Sequence, residues 1–339
     1  GVATAWELDL WGRIRNLSDR ALASYLALDE TRVAAQMSLV SEVAIAYLTL
    51  RADQALLTLT SDTLATQKRS YELTAQLVEA GSATQLDLRL AEISLRTAEA
   101  NHAVYTRQAA SDRNALVLLL GQPLPAELSQ QLDAATTLPD GIVPTSLPSG
   151  LPSELLVRRP DIRAVEQMLL GANANIGAAR AAFFPTISLT GNAGFSSNSL
   201  DGLFSSDGLG WSFGPSISLP IFDRGGREAD LDLAKALEVE QVANYDRTVQ
   251  TAFREVSDSL AGRRYLAEQV ETLERGVEAQ ERIARLARLR YREGVADYLE
   301  VLDAERNLFS ARQQLLATER AWLQNRATLF VALGGGDDR

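Results

Sequence analysis

VEAGSATQLDLRLAEISLRTA at residues 78–98 and YREGVADYLEVLDAERNLFSA at residues 291–311 lie on one another after a shift of 213 positions, without a gap. Gly81 meets Gly294, Leu86 meets Leu299, Ala91-Glu92 meets Ala304-Glu305, Leu95 meets Leu308 and Ala98 meets Ala311. The match extends outward in both directions. Gly12 falls on Gly225, Glu42-Val43 on Glu255-Val256, Arg51 on Arg264 and Gly121 on Gly334. Residues 12–121 and 225–334 are therefore read as two copies of one unit: a long helical pattern, one break at a glycine, and a return. A duplicated helical hairpin hung from a short strand fits the wall of a tube.

The helical pattern is long because nothing interrupts it. From Asn16 to Val78 there is no Pro or Gly, and apolar residues recur at helical spacing through Leu39, Val43, Ala46, Tyr47, Leu50, Leu57 and Leu64. At 1.5 Å per residue this predicts roughly 90–100 Å of helix, more than a globular domain holds. The break at Ala80–Thr84 is followed by Thr84 and Asp87, spaced as a capping box for a second helix that ends at Gly121-Gln122-Pro123. In the second copy the helix is expected to run to Arg292, break at Gly294, restart with Asp297 and Glu300 as a second capping pair, and end at Gly334-Gly335-Gly336. Residues 122–152 read as a linker with little regular structure, and Ser153–Val157 as a short helix. Pro160 opens a further helix with Ala174, Gly177, Ala178 and Ala181 on one small face, suited to close packing.

Three stretches alternate with a period of two. Residues 4–11 set Trp6, Leu8 and Leu10 against Glu7 and Asp9. Residues 186–196 set Ile187, Leu189, Ala193 and Phe195 against Ser, Thr and Asn, and residues 211–221 set Trp211, Phe213, Ile217, Leu219 and Ile221 against Gly and Ser. The Ser- and Gly-rich residues 199–210 read as a loop. The last two strands have the length of tilted bilayer-spanning strands, and their polar faces suit a water-filled lumen. A soluble hairpin on a helix layer shares the same periodicity. Three strands cannot close a barrel, so a barrel requires several chains.

Composition narrows the function. Net charge −11 disfavours nucleic acid, which needs basic patches. One His and no Cys argue against a metal or haem centre, and no nucleophile elbow or P-loop is present, so neither a cofactor nor catalytic residues are expected. The absence of Cys fits an oxidising compartment and is also common in the cytosol. No unbroken run of 18 apolar residues exists, so no transmembrane helix is expected. The chain begins inside a structured segment and reads as a form lacking its N-terminal part.

These features resemble one family: the outer membrane factors, the TolC-like and OprM-like exit ducts of Gram-negative bacteria. The resemblance covers essentially the whole chain. It is most specific in LPSELLVRRPDIRAVEQMLLGANANIGAARAAFFPTISLTGNAGF at 151–195, and continues in TAWELDLWGRIR, TAFREVSDSLAGR at 251–263 and YREGVADYLEVLDAERNLFSARQQLL at 291–316. The chain looks most like the lipoprotein subgroup that serves efflux pumps of the RND type. The resemblance implies a mainly α fold with a small β part. Duplicated hairpins 12–121 and 225–334 would form an α-barrel, segments 4–11 and 186–221 would be strands of a trimeric transmembrane β-barrel, and 122–185 an equatorial segment. It further implies a homotrimer in outer membrane lipid reaching into the periplasm, with a periplasmic adaptor protein and an inner membrane RND-type transporter as partners. The family's first strand, signal, lipid-bearing Cys and first belt helix would precede Gly1.

The resemblance also implies site residues. Leu299, Asp303 and Arg306 match the positions that constrict the periplasmic end of the tube, Glu300 an acidic ring position, and Asp87 an acid that helps hold the closed state. Gly81 and Gly294 would sit at the tips where an adaptor docks. Asp87 and Glu300 are equally explained as helix caps, and the glycines as turn residues. Trp6 and Trp211 are read as membrane-interface aromatics, with core packing as the alternative. The resulting expectation is a passive, gated exit duct for drugs and small toxic compounds. Its rivals are a soluble coiled-coil adaptor or scaffold, and the same duct serving type I protein secretion or metal efflux.

Overall fold

The computed structural model describes residues 1–133, 137–139, 156–196 and 209–335. In chain order the elements are β1 (Val2–Leu8), α1 (Arg13–Glu79), α2 (Gln85–Leu120), α3 (Ala126–Asp133), α4 (Pro160–Ala181), β2 (Thr186–Phe195), β3 (Leu209–Ser218), α5 (Gly226–Arg292) and α6 (Tyr298–Ala332). The protein is mainly helical with a small sheet, and each repeat is a 67-residue helix followed by a shorter one. Two compact units are present. One holds residues 1–34 and 153–252, the other 35–152 and 253–339.

In the first unit the strands form an antiparallel sheet of order β1-β2-β3. Trp6 pairs with Leu189, which pairs with Pro215; Leu8 pairs with Ile187, which pairs with Ile217. Side chains alternate across a strand, so Val2, Trp6, Leu8, Ile187, Leu189, Ala193, Phe195, Leu209, Trp211, Phe213 and Ile217 share one face. The other face carries Ser188, Thr190, Asn192, Ser212 and Ser216. The apolar face is uncovered: Trp211 is 76% exposed, Ile217 71% and Phe213 65%.

The strand ends differ from the sequence expectation for local reasons. The first strand stops at Leu8 rather than residue 11, because Asp9 is taken by the helix that follows. Its carboxylate accepts from the Ile14 and Arg15 amides at 3.0 and 2.8 Å, satisfying two of the orphan donors at the start of α1. Trp11 then stacks on Phe184 with ring centroids 4.7 Å apart and donates its indole N–H to the Pro185 carbonyl. The third strand ends at Ser218 rather than residue 221, just before Pro220, which has no N–H for a ladder. It also starts earlier, at Leu209. The remainder of the expected loop at 199–210 lies outside the described residues.

The small face of α4 packs on the start of α1, as the sequence predicts. Gly171 approaches Ala23, and Gly177 lies so close to the Asn16 side chain that a Cβ there has no room. Arg163 closes the contact by donating to Glu30.

The second unit holds two cores. Leu50 of α1, Leu116 of α2 and Leu132 of α3 form one. The helix α3 falls in the segment expected to lack regular structure. It exists because Leu124, Leu128 and Leu132 recur at helical spacing and meet the α1–α2 pair. Residues 134–136 and 140–152 of that segment and Gly336 lie outside the described residues, as do residues 153–155 of the expected short helix, whose last two residues, 156 and 157, are helical. A second correction concerns α1, which contains an 18-residue window of mean hydropathy 1.5, apolar enough by composition to cross a membrane. Interspersed Ser and Thr break the apolar run without lowering its average much.

Candidate functional site

The other core lies just inside the two helix turns. Ala91 of α2 meets Val277, Ala284 and Ala287 of α5 and Tyr298, Val301, Ala304 and Leu308 of α6, with Tyr71 of α1 against them. Four helices thus converge on the segment that the repeat placed at the centre of interest.

Each long helix ends in the same backbone motif. Gly81 has φ +73°, its N–H donates to the Val78 carbonyl, and the Ser82 N–H reaches Leu77 at 2.8 Å. Gly294 has φ +72°, its N–H donates to Tyr291, and the Val295 N–H reaches Arg290 at 2.9 Å. Both are Schellman caps, and only glycine adopts the left-handed conformation without strain. A Cβ at either site would meet nothing within 4 Å, so backbone conformation alone selects glycine.

Beyond the turns the two copies part. Thr84 and Asp87 form the expected capping box: the Asp87 amide donates to Thr84 Oγ1 at 3.2 Å, and the Thr84 amide donates to the Asp87 carboxylate at 2.9 Å. The second box does not form. Asp297 occupies the N-cap of α6 but its side chain makes no cap bond. Glu300 instead accepts from Arg290 of the preceding helix at 2.8 Å. Arginine stands at 290 where the first copy has Leu77, so the acid has a cation to reach for.

Leu299, Asp303 and Arg306 are brought together on one exposed stripe of α6, opposite the buried stripe of Tyr298, Val301, Ala304 and Leu308. Arg306 donates to Asp303 at 3.1 Å. Asp87 sits near enough to α5 and α6 to be felt there. Burial raises the pKa of the Tyr291 and Tyr298 phenols, and the Asp87 charge adds to both shifts. Trp6 and Trp211 share the apolar face of the sheet but not a level. Their rungs, at Leu189 and Ala193, are about 13 Å apart along the strand.

A buried polar link beside the stripe went unseen in the sequence. Glu305 accepts from Gln67 of α1 at 2.5 Å and pairs with Arg288 of α5 at 3.2 Å. Ser70 of α1 meets the Tyr298 hydroxyl at 2.8 Å. One acid on α6 thus ties together three helices drawn from both repeats. The signal available was Gln67, Ser70 and Thr74 recurring on a stripe that is otherwise apolar.

A cleft of about 720 Å³ runs between α1, α5 and α6 and is lined by Leu59, Val277, Leu315 and Trp322 with Asp62 and Glu274. Among its lining residues there is no His or Cys, and no nucleophile–base pair converges there.

The geometry described, a greasy-faced sheet with long paired helices, has clear relatives. Residues 1–122 and 151–335 match the model of the outer membrane efflux protein family. The chain belongs to that family. It is 46% identical over 336 residues to the solvent efflux pump outer membrane protein SrpC of Pseudomonas putida, covering 99% of this chain and 70% of SrpC. It is 39% identical over 336 residues to the cation efflux system protein CusC of Escherichia coli, covering 99% and 72%. A crystal structure of a membrane protein from Pseudomonas aeruginosa superimposes with a TM-score of 0.92 at 41% identity, covering 99% of this chain and 75% of that one. As an outer membrane efflux protein the chain is a channel component and not an enzyme. It resides in the outer membrane, extends into the periplasm, and works with the other components of an efflux pump.

Proposed function

We propose that three copies of this outer membrane efflux protein form a passive duct, gated at the helix tips, that discharges small organic compounds delivered by an inner membrane RND-type transporter through a periplasmic adaptor. The observation that carries the reading is the sheet. One face is mainly apolar, exposed on β1 and β3 and half-exposed at Ile187 and Leu189 of β2; the other carries Ser, Thr, Asn and Gly on β2 and β3 with Ala3, Ala5 and Glu7 on β1; and the outer edges of β1 and β3 have no strand partner among the described residues. An open strand edge is not tolerated in lipid, so copies must complete the barrel and leave the polar face around a bore.

The same closure would bring three Asp303 carboxylates round one axis, with Leu299 and Glu300 beside them and Asp87 bracing the neighbouring tip. Like charges at close range repel, and each Arg306 offsets one of them. Opening would splay the tips at Gly81 and Gly294, where an adaptor would dock. Trp6 and Trp211 would anchor the sheet at two depths rather than in one girdle.

Planar-bilayer conductance of the detergent-purified protein tests this. A trimer mass and a rise in open conductance on replacing Asp303 and Arg306 with Ala are expected; a monomer, or unchanged conductance, overturns the gate. The similarity to SrpC favours organic cargo, and the similarity to CusC keeps cation efflux as a second reading. Complementation of a duct-deficient strain, challenged in parallel with toluene and with copper, separates them.

A further inference from the structure

The helices of the second unit bury an acid that the efflux reading does not use. Asp53 of α1 is 5% exposed. Its carboxyl faces the carboxyl of Asp112 on α2, near enough for each to act on the other. Ionised carboxylates only accept, so a bond between two of them needs a proton. Asp112 shows where that proton points. Its Oδ1 accepts from the Gln108 amide at 3.1 Å, while its Oδ2 is buried and has no hydrogen-bond partner among the described residues, so a proton carried between the two acids would satisfy it. The charged groups facing Asp53 are Asp112 from α2 and Arg320 from α6.

The second repeat shows the neutral alternative. Under the 213-residue shift Asp112 corresponds to Asn325 and Asp53 to Leu266. Asn325 donates its amide to the Ser259 carbonyl of α5 at 2.9 Å, directly over Gly262. A side chain of the same shape therefore docks the shorter helix on the longer one without a proton. Only the first repeat places two acids there.

We propose that Asp53 and Asp112 form a proton-binding site, in which one shared proton clasps α1 to α2 and its loss loosens the first repeat while leaving the second unaffected. A bound divalent cation is the weaker candidate: no group of three or more ligating side chains is present among the described residues. Burial, the bond to Asp112 and the charge of Asp112 together outweigh the opposing charge of Arg320 and push Asp53 up to about 7. A carboxyl whose folded pKa lies above its unfolded value gives stability that is complete below the unfolded value and is lost as pH rises through the folded one. The clasp is therefore closed in acid and opens around and above neutrality.

The experiment uses the full chain in detergent, as wild type, Asp53→Asn and Asp112→Asn, titrated from the ordinary carboxylate value of 3.8 to beyond the raised value of about 7, the window set by this linkage. Difference infrared spectroscopy should find in wild type a protonated carboxyl that titrates near 7, and this band should be missing from Asp53→Asn. In Asp112→Asn the remaining acid should titrate below its wild-type value yet stay above the ordinary carboxylate range, because its burial, the largest cause of the shift, remains. The thermal midpoint of wild type should fall across the window more steeply than that of either variant. Asp112→Asn reproduces the side chain of Asn325 and keeps the test alive if Asp53→Asn fails to fold. A wild type with no such band, or three identical pH slopes, overturns the proposal. So does a calcium-induced rise in midpoint that Asp53→Asn abolishes, which would make the pair a cation site.

Discussion

The two helix tips share a backbone and differ in charge chemistry. Both turn on a left-handed glycine with the same pair of carbonyl bonds. At the first tip the acid is spent locally: Asp87 closes its own capping box, and Glu92 pairs with Arg89 three residues away. At the second tip the acids reach outward. Glu300 goes to the preceding helix, Asp303 and Arg306 stand where the first copy has Leu90 and Ile93, and Glu305 is drawn inward to α1 and α5. The repeat gives two turns of equal backbone geometry, and side-chain differences give the second one contacts to neighbouring helices that the first lacks.

The contrast can be broken at several strengths. The largest effect is expected at the exposed stripe. If contacts of Asp303 and Arg306 made only in the closed state are worth up to about 1 kcal/mol in each of three copies, removing both residues shifts the closed-to-open ratio by roughly ten- to a hundred-fold, read as open probability in bilayers. Ile93→Ala, at the counterpart of Arg306, should leave it unchanged. Glu305→Ala comes next. It leaves buried Gln67 without an acceptor and Arg288 without its partner, so a loss of about 1–3 kcal/mol in thermal or denaturant unfolding is expected, against no more than about 0.5 kcal/mol for Glu92→Ala. Equal losses at the two positions would erase the distinction between the tips.

Smaller effects test the shared backbone. Gly81→Ala and Gly294→Ala should each cost about 1 kcal/mol, and by the same amount, because neither Cβ meets a neighbour and both pay only for the positive φ. The caps should then separate the tips again. Thr84→Ala removes a formed box and should cost about 1 kcal/mol, whereas Asp297→Ala removes a side chain that makes no cap bond and should cost at most a few tenths. A second-tip loss as large as the first would mean that Asp297 caps α6 in solution.

Much of the architecture was legible because it is written in near neighbours. Helix lengths follow from the absence of Pro and the spacing of Leu, Val and Ala; the breaks follow from glycines; the sheet faces follow from alternation. The errors came where a residue serves an element other than its own. Asp9 was counted with the strand but caps the helix. Asp297 and Glu300 have the spacing of a box, yet a cation at Arg290 on another helix outcompetes it. The leucines of α3 were hidden among Pro and Gln because their partners lie on α1 and α2.

The sequence by itself determined the duplication, the four long helical segments, the glycine turns and the two-faced strands, since φ preferences and side-chain periodicity act over a few residues. Tertiary structure decided which of two matched glutamates turns inward, and that Asp53 meets another acid while its counterpart is a leucine. Those outcomes depend on how each helix is rotated and slid against its neighbours. A 3.6-residue period narrows that choice to a face and leaves the partner on the facing helix to be settled by packing.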